Sequence, residues 1–264
     1  MSAVAELFAS VRAEDRAALI GYLPAGYPSV QGSIDALTAM VEGGVDLVEV
    51  GFPYSDPLMD GPVIQRAAEA ALALGTRAAD VIETVAAVAK TGAPVVVMSY
   101  WNPIEAYGVD RFAADLRAAG GAGVITPDLI PDEADRWVAA SEANDLSRIF
   151  LVAPSSTDAR LVSTAAASSG FIYAASTMGV TGERSSVGAA ASTLVSRVRA
   201  VTDLPVCVGL GVSSGSQAAE IAAFADGVIV GSAFVRPLLD ASDSASGVAA
   251  VRALAVELAA GCRR

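Results

Sequence analysis

Two carboxylates eleven residues apart, Glu49 and Asp60, are the side chains of this sequence best suited to acid–base chemistry. Glu49 interrupts the apolar run 47–51, whose composition is typical of a short strand buried on both faces. A buried, unpaired carboxyl group has a raised pKa, which suits a general acid or base near neutral pH. Because the sequence contains no histidine, proton transfer would have to use carboxylates, tyrosines or the single lysine, Lys90.

The same residues also allow purely structural interpretations. Glu49 could belong to a buried ion pair, although no lysine or arginine lies near the ends of the neighbouring strands. Asp60 precedes Gly61 and Pro62 and could be the N-cap of a helix, since proline is common in the first helical turn. Tyr173 falls in a predicted strand, where an aromatic side chain is often part of the core.

Short apolar runs alternate with longer alanine-rich amphipathic stretches along the whole chain. Eight of the runs are continuously apolar, which is typical of parallel strands covered on both faces. The predicted strands are 18–23, 47–51, 95–100, 123–126, 148–152, 171–176, 205–209 and 227–230. The predicted helices between them include 33–42, 109–119, 132–143, 159–168 and 216–225.

Eight such units without a break in composition predict an α/β fold, a single (β/α)8 TIM barrel over residues 1–264. An open doubly wound sheet is the alternative, but it rarely needs eight parallel strands. An extra helix at 4–13 precedes the first strand and could close the floor of the barrel. The segment 238–264 is long enough for a short segment and a final helix. The active site is expected at the carboxyl ends of the strands.

Glycine-rich sequence follows the seventh and eighth strands, at 209–211 and at Gly231-Ser232, just before a predicted short helix, 233–239. In barrels of this kind, these two loops and the N-terminus of an extra helix form a recurrent phosphate site. Either loop alone could be an ordinary turn. Two of them at adjacent strands predict a phosphorylated small substrate.

The composition excludes several classes of function. A net charge of −12 argues against a nucleic-acid surface. Lys90 precedes the third strand, at the wrong end for Schiff-base or pyridoxal phosphate chemistry, and no histidine is available as a zinc ligand. Cys207, in a predicted strand, is interpreted as a small hydrophobic residue. We therefore expect catalysis without a metal or a cofactor in this chain.

Localisation is predicted from what the sequence lacks. No apolar stretch reaches about 18 uninterrupted residues, the length typical of a membrane-spanning helix. The N-terminal residues do not show the basic and then apolar layout of a secretory signal. A cytoplasmic protein without membrane contact is the expectation.

The segment 47–65 resembles the signature of the tryptophan synthase α chain family. Further matching segments follow the family's order and spacing along nearly the whole chain: 26–28, 98–103, 127–129, 179–182, 208–212 and 231–233. The resemblance implies a carbon–carbon lyase of L-tryptophan biosynthesis. Its reaction would be the retro-aldol cleavage of indole-3-glycerol phosphate to indole and glyceraldehyde 3-phosphate.

The resemblance also implies residue roles. Glu49 would protonate C3 of the indole ring and later assist removal of the glycerol hydroxyl proton, while Asp60 would bind the indole N–H. The implied substrate contacts are Tyr22, Tyr100, Tyr173 and Leu210. The implied phosphate-binding positions are Gly182, Gly211, Gly231 and Ser232.

A partner is implied as well. The family's α chain binds a β chain that contains pyridoxal phosphate, as an αββα heterotetramer, and indole passes between the two through a tunnel. The loop 53–60 and the region 100–107 would carry the interface, through Pro53, Asp56, Asn102 and Pro103. The sequence departs from many members at Thr177-Met178, where they have an arginine, and at Leu210, where some have an aromatic residue. Pro24 replaces a common threonine.

The sequence argues against three alternative functions and leaves a fourth open. An indole-glycerol-phosphate synthase would need a lysine in the site, and a phosphoribosyl-anthranilate isomerase a cysteine near residues 23–25. A non-catalytic activating subunit would not need Glu49 and Asp60. A stand-alone indole-releasing lyase is not separated from the complexed form by the sequence.

Overall fold

Eight parallel strands close into a barrel in chain order in the computed structural model, which describes residues 2–175, 184–209 and 211–263. The strands are β1 Ala18–Pro24, β2 Leu47–Gly51, β3 Val95–Met98, β4 Gly123–Thr126, β5 Ser147–Val152, β6 Ile172–Ala175, β7 Val206–Gly209 and β8 Gly227–Val230. β1 pairs with both β2 and β8, which closes the sheet. The barrel prediction is therefore confirmed, and the open doubly wound sheet is wrong.

Helices surround the barrel and connect the strands. In the described part of the chain they are α1 Ala3–Ala13, α2 Val30–Glu42, α3 Pro62–Ala73, α4 Ala78–Val88, α5 Trp101–Tyr107, α6 Val109–Ala118, α7 Asp135–Ala143, α8 Asp158–Ala167, α9 Arg184–Arg199, α10 Gly215–Ala222, α11 Ser232–Asp240 and α12 Ser244–Gly261. The predicted helices coincide with α1, α2, α6, α7, α8, α10 and α11 to within three residues at each end. Deviations of this size are normal at helix termini.

Helix α1 closes the amino-terminal floor of the barrel, as predicted. Its residues Val4, Phe8 and Val11 are buried and belong to the cluster of side chains that fills the barrel interior. Phe8 packs against Phe171, with ring centroids 5.7 Å apart. The lower layers of the interior are therefore apolar and closed to water from below.

The third strand is shorter than predicted, because β3 ends at Met98 rather than at residue 100. Tyr100 is instead the residue before helix α5. The carboxylate of Asp128, after β4, accepts the N–H of Trp101 at 2.9 and 3.1 Å and so satisfies the first turn of that helix. This contact joins residues far apart in sequence, which explains why the helix start was not predicted.

Helix α12 is long and apolar enough to cross a membrane by the criteria of length and composition alone. It packs against α2, α10 and α11 through one stripe formed by Gly247, Val251, Ala255 and Leu258. Its charges also face neighbouring elements: Arg252 pairs with Glu42 at the end of α2, and the carboxylate of Glu257 accepts the N–H of Gly215 at 2.8 Å. These contacts are those of an outer helix of the barrel.

Candidate active site

Glu49 projects from β2 into the barrel. Val48 and Val50 belong to the cluster between sheet and helices and Leu47 to the interior cluster, as the alternation along a strand requires. Glu49 is only 1% exposed, and neither carboxyl oxygen has a hydrogen-bond partner among the residues that the structure describes. Burial raises the pKa of Glu49 to about 8. The ion-pair interpretation finds no support in the described part of the chain.

Asp60 lies at the end of the loop after β2, and it is not a helix cap. Helix α3 has Gly61 as its N-cap, without a side-chain capping bond, and Pro62 as its first residue. The backbone carbonyl of Asp60 accepts a hydrogen bond from Nε2 of Gln65 at 2.8 Å, which fixes the loop to the first turn of that helix. Burial raises the pKa of the Asp60 carboxyl to about 6. The capping interpretation is therefore wrong.

Both carboxylates line one cavity of about 130 Å³ at the carboxyl ends of the strands. Its wall consists of Tyr22, Glu49, Met59, Asp60, Gly61, Ile64, Met98, Tyr173, Gly209, Gly211, Ile229, Gly231 and Ser232. The cavity thus joins seven of the predicted site residues with apolar side chains suited to a flat aromatic ring. Leu210 and Gly182 lie outside the described residues.

Two tyrosines enter the cavity from β1 and β6. Tyr22 is 7% exposed, and Tyr173 is partly buried with its hydroxyl beside Gly209. Burial, and to a lesser extent the nearby carboxylates, raise the pKa of both phenols well above the usual value. Both hydroxyls therefore stay protonated over the physiological range and are available as hydrogen-bond donors. Because Tyr173 lines the cavity, it is not plain core.

The far wall of the cavity has the features of an anion site. Gly231 is the N-cap of α11 and Ser232 its first residue, so the positive end of the helix dipole faces the cavity. Gly211 adopts φ +64°, a backbone conformation that side chains disfavour. Three of the four predicted phosphate-binding residues therefore lie together in the cavity wall.

Tyr100 is not among the residues that line this cavity, so its predicted contact with the substrate stays a prediction. Its hydroxyl oxygen accepts the N–H of Met59 at 2.9 Å, and its ring packs on Tyr54 with centroids 5.1 Å apart. Since Met59 directly precedes Asp60, Tyr100 supports the loop that carries this carboxylate. Met98, two residues earlier on the inward-facing register of β3, occupies the wall instead.

Three of the four predicted interface residues are accessible. Asp56 and Asn102 are exposed and Pro103 is partly exposed, and Nδ2 of Asn102 lies 3.4 Å from the hydroxyl of Tyr54, to which it donates. Pro53 is buried within the chain and presents little free surface, so its part in an interface stays a prediction.

The loop 53–60, which was expected to carry the interface, has an apolar tip that was not among the individually predicted residues. Leu58 is 88% exposed and Met59 53% exposed, next to the mouth of the cavity. The sequence contained a signal for this contact surface, because two apolar residues stand between Pro57 and Asp60 in a predicted loop, and exposed loops are usually polar.

Comparison with known proteins decides the family. The profile described as tryptophan synthase alpha chain matches residues 8–263. The chain belongs to the tryptophan synthase α chain family. The family's α chain from Thermobifida fusca is 62% identical, over 100% of this chain and 98% of that protein. That from Mycobacteroides abscessus is 64% identical, over 98% and 97%.

Solved structures of the family show the same fold. A crystal structure of tryptophan synthase from M. tuberculosis in its aminoacrylate-bound form superposes with a TM-score of 0.92 at 57% identity, covering 100% of both chains. The α subunit from Legionella pneumophila str. Paris gives 0.91 at 32% identity, covering 99% of this chain and 98% of that one. Members of the tryptophan synthase α chain family are lyases that cleave indole-3-glycerol phosphate in tryptophan biosynthesis.

The position of Tyr100 generates a test. Tyr100→Phe removes the acceptor of the Met59 N–H but keeps the ring, so we expect indole release to lose about tenfold in kcat, the equivalent of one hydrogen bond, with KM within about threefold. The matched control is Tyr54→Phe, which removes a hydroxyl on the outer side of the same ring pair and should change kcat by less than about twofold. A large rise in KM with unchanged kcat would instead make Tyr100 a substrate contact.

Proposed function

We propose that Glu49 and Asp60 together perform the cleavage of indole-3-glycerol phosphate in this chain. The observation that supports this most strongly is that a fully buried carboxyl, with no hydrogen-bond partner among the described residues, and a second, less buried one line the same cavity. The two environments separate their pKa values, to about 8 for Glu49 and about 6 for Asp60. At neutral pH, Glu49 is then mainly protonated and Asp60 mainly ionised, which assigns acid and anion roles.

The proton moves in two steps. The protonated Glu49 gives its proton to C3 of the indole ring, which places positive charge on the ring nitrogen. Asp60, as a carboxylate, accepts a hydrogen bond from that N–H and stabilises the charge. The ionised Glu49 then takes the proton of the glycerol hydroxyl, the carbon–carbon bond breaks, and its electron pair restores the indole ring while the aldehyde of glyceraldehyde 3-phosphate forms. The net change is one proton transferred from oxygen to carbon.

The remaining cavity residues bind the two ends of the substrate in this proposal. Gly211, Gly231 and Ser232 hold the phosphate at the N-terminus of α11. Gly182, outside the described residues, is assigned to the phosphate by the family resemblance alone. The hydroxyl of Tyr173 faces the glycerol part, and Tyr22 contacts the indole ring. The family resemblance assigns a contact with the same ring to Leu210, which lies outside the described residues. The apolar side chains of Met98, Ile64 and Ile229 fit the same ring.

The partner proposed for this chain is a tryptophan synthase β chain, which would carry the pyridoxal phosphate, in a cytoplasmic αββα heterotetramer. Two features support it: relatives at 57% identity come from crystal structures of tryptophan synthase, and an exposed apolar loop tip borders the cavity. A stand-alone indole-releasing lyase is the second candidate. It would show full activity without a β chain.

The acid role of Glu49 gives the first test of the proposal. Glu49→Gln keeps the shape but loses the proton, so we expect indole release to fall by about 10²–10⁴-fold. Binding of glycerol 3-phosphate should stay within about threefold, and thermal stability should not fall, because glutamine has no buried ionisation to suppress. Near-normal turnover in this variant would rule out the assigned role.

The two pKa values predict a bell-shaped pH dependence of kcat/KM. Activity should rise as Asp60 ionises near pH 6 and fall as Glu49 loses its proton near pH 8. Because the second pKa of a phosphate monoester is also about 6, the residual activity of Asp60→Asn serves as the control. The acidic limb should disappear in that variant. If it stays unchanged, it belongs to the substrate phosphate and not to Asp60.

The proposed interface is tested by Leu58→Asp. A charge at this exposed apolar position should reduce the activation of indole release by a purified β chain by at least about tenfold. Val162→Asp, on α8 with 53% exposure, is the matched control and should keep full activation. Equal activation of both variants would place the interface elsewhere, and no activation of the unmodified chain would favour the stand-alone lyase.

A further inference from the structure

Gly51 is the last residue of β2, and a side chain at this position would overlap a neighbouring residue. It lies two residues after Glu49, so both positions face the barrel interior. A Cβ atom at residue 51 would lie 2.3 Å from the hydroxyl oxygen of Tyr22 and 2.6 Å from its Cε2 and Cζ. Gly51 is not among the glycines with positive φ, so its backbone conformation alone does not require glycine. Glycine at this position therefore leaves space for a neighbouring side chain.

The space is occupied by the Tyr22 ring, which lies across the end of the neighbouring strand. In the parallel register, Tyr22 stands opposite Glu49 and Pro24 opposite Gly51, so the ring leans from its own position toward the carboxyl end of β2. On its other side, Cδ1 of Tyr22 lies 3.5 Å from where a Cβ of Gly231 would be. The ring is therefore held between the ends of β2 and β8.

This placement puts an aromatic ring beside the Glu49 carboxyl. Glu49 is closed from below by the apolar layers and the α1 floor, and its oxygens bond to no described group. Tyr22 is itself buried, and it lines the same cavity as Glu49. A ring displaced from this seat would open a route for water to the carboxyl from the mouth of the cavity.

We infer that Gly51 is a positioning residue, whose absent side chain seats the Tyr22 ring beside Glu49 and so keeps water from the carboxyl group. The inference rests on the proposed role of Glu49 for its activity readout only. A side chain at residue 51 would overfill the site and push the ring away, because a well-packed interior tolerates an added methyl only by moving its neighbours.

The test is a double-mutant cycle of Gly51→Ala and Tyr22→Leu. In the chain that keeps Tyr22, Gly51→Ala should lower kcat/KM for indole release by at least about tenfold. It should also move the alkaline limb of the pH profile to lower pH, because hydration of the carboxyl group favours the ionised form of Glu49. In the Tyr22→Leu background, where the overlapping atoms are gone, the same change should cost less than about twofold. Tyr22→Phe keeps Cε2 and Cζ, so Gly51→Ala should stay costly there.

Two controls keep the outcome interpretable. Gly188→Ala adds a methyl group at a position where no described atom lies within 4 Å, and it reports on the substitution itself. A crystal structure of Gly51→Ala reports on the Tyr22 ring without any assay, and the ring should be displaced by more than about 1 Å. An unmoved ring, or an equal cost of Gly51→Ala in the Tyr22 and Tyr22→Leu backgrounds, would overturn the inference. If the ring is displaced in Gly51→Ala but the unmodified chain itself releases no indole, the proposed function alone is contradicted.

Discussion

The desolvated carboxyl of Glu49 is the constraint on which the rest of the site depends. Burial shifts its pKa from 4.5 to about 8, so at pH 7 the group must stay protonated in the folded chain. This disfavours folding by about 3 kcal/mol, a penalty that is absent at low pH and grows as pH rises from the unfolded to the folded pKa. A natural domain has only about 5–15 kcal/mol of net stability. The closed barrel and its apolar interior must offset this cost.

The architecture isolates Glu49 in a specific way. Alternation along β2 sends Glu49 inward, the layers beneath it are apolar, and α1 closes the floor with Phe8 against Phe171. Asp60 is held on a loop, by the turn of α3 below it and by Tyr100, and keeps a lower pKa because it is less buried. Strand and loop therefore give two carboxyl groups different pKa values, and the N-terminus of α11 brings the positive end of a helix dipole to the same cavity.

Sequence patterns predicted the eight strands because each is a continuous apolar run, and they placed Glu49 in the second one. They could not predict contacts between distant segments. Asp128 accepts the amide of Trp101 at the start of α5, and the hydroxyl of Tyr100 accepts the amide of Met59 and so supports the loop that carries Asp60. Pro53, expected at an interface, is buried by its own chain. The sequence also does not show why residue 51 is a glycine, because the Tyr22 ring that occupies the space of a side chain there belongs to a different strand.

The protonation state of Glu49 is the central claim, and it can be measured directly. Infrared difference spectra of the chain labelled with ¹³C-glutamate, with Glu49→Gln subtracted, isolate the carboxyl stretch of this one group as pH is varied. The protonated band should persist at neutral pH and disappear with a midpoint near pH 8. A midpoint near 4.5, the value of an ordinary glutamate in water, would show that water reaches Glu49. That result would contradict its proposed role as the acid that protonates the ring.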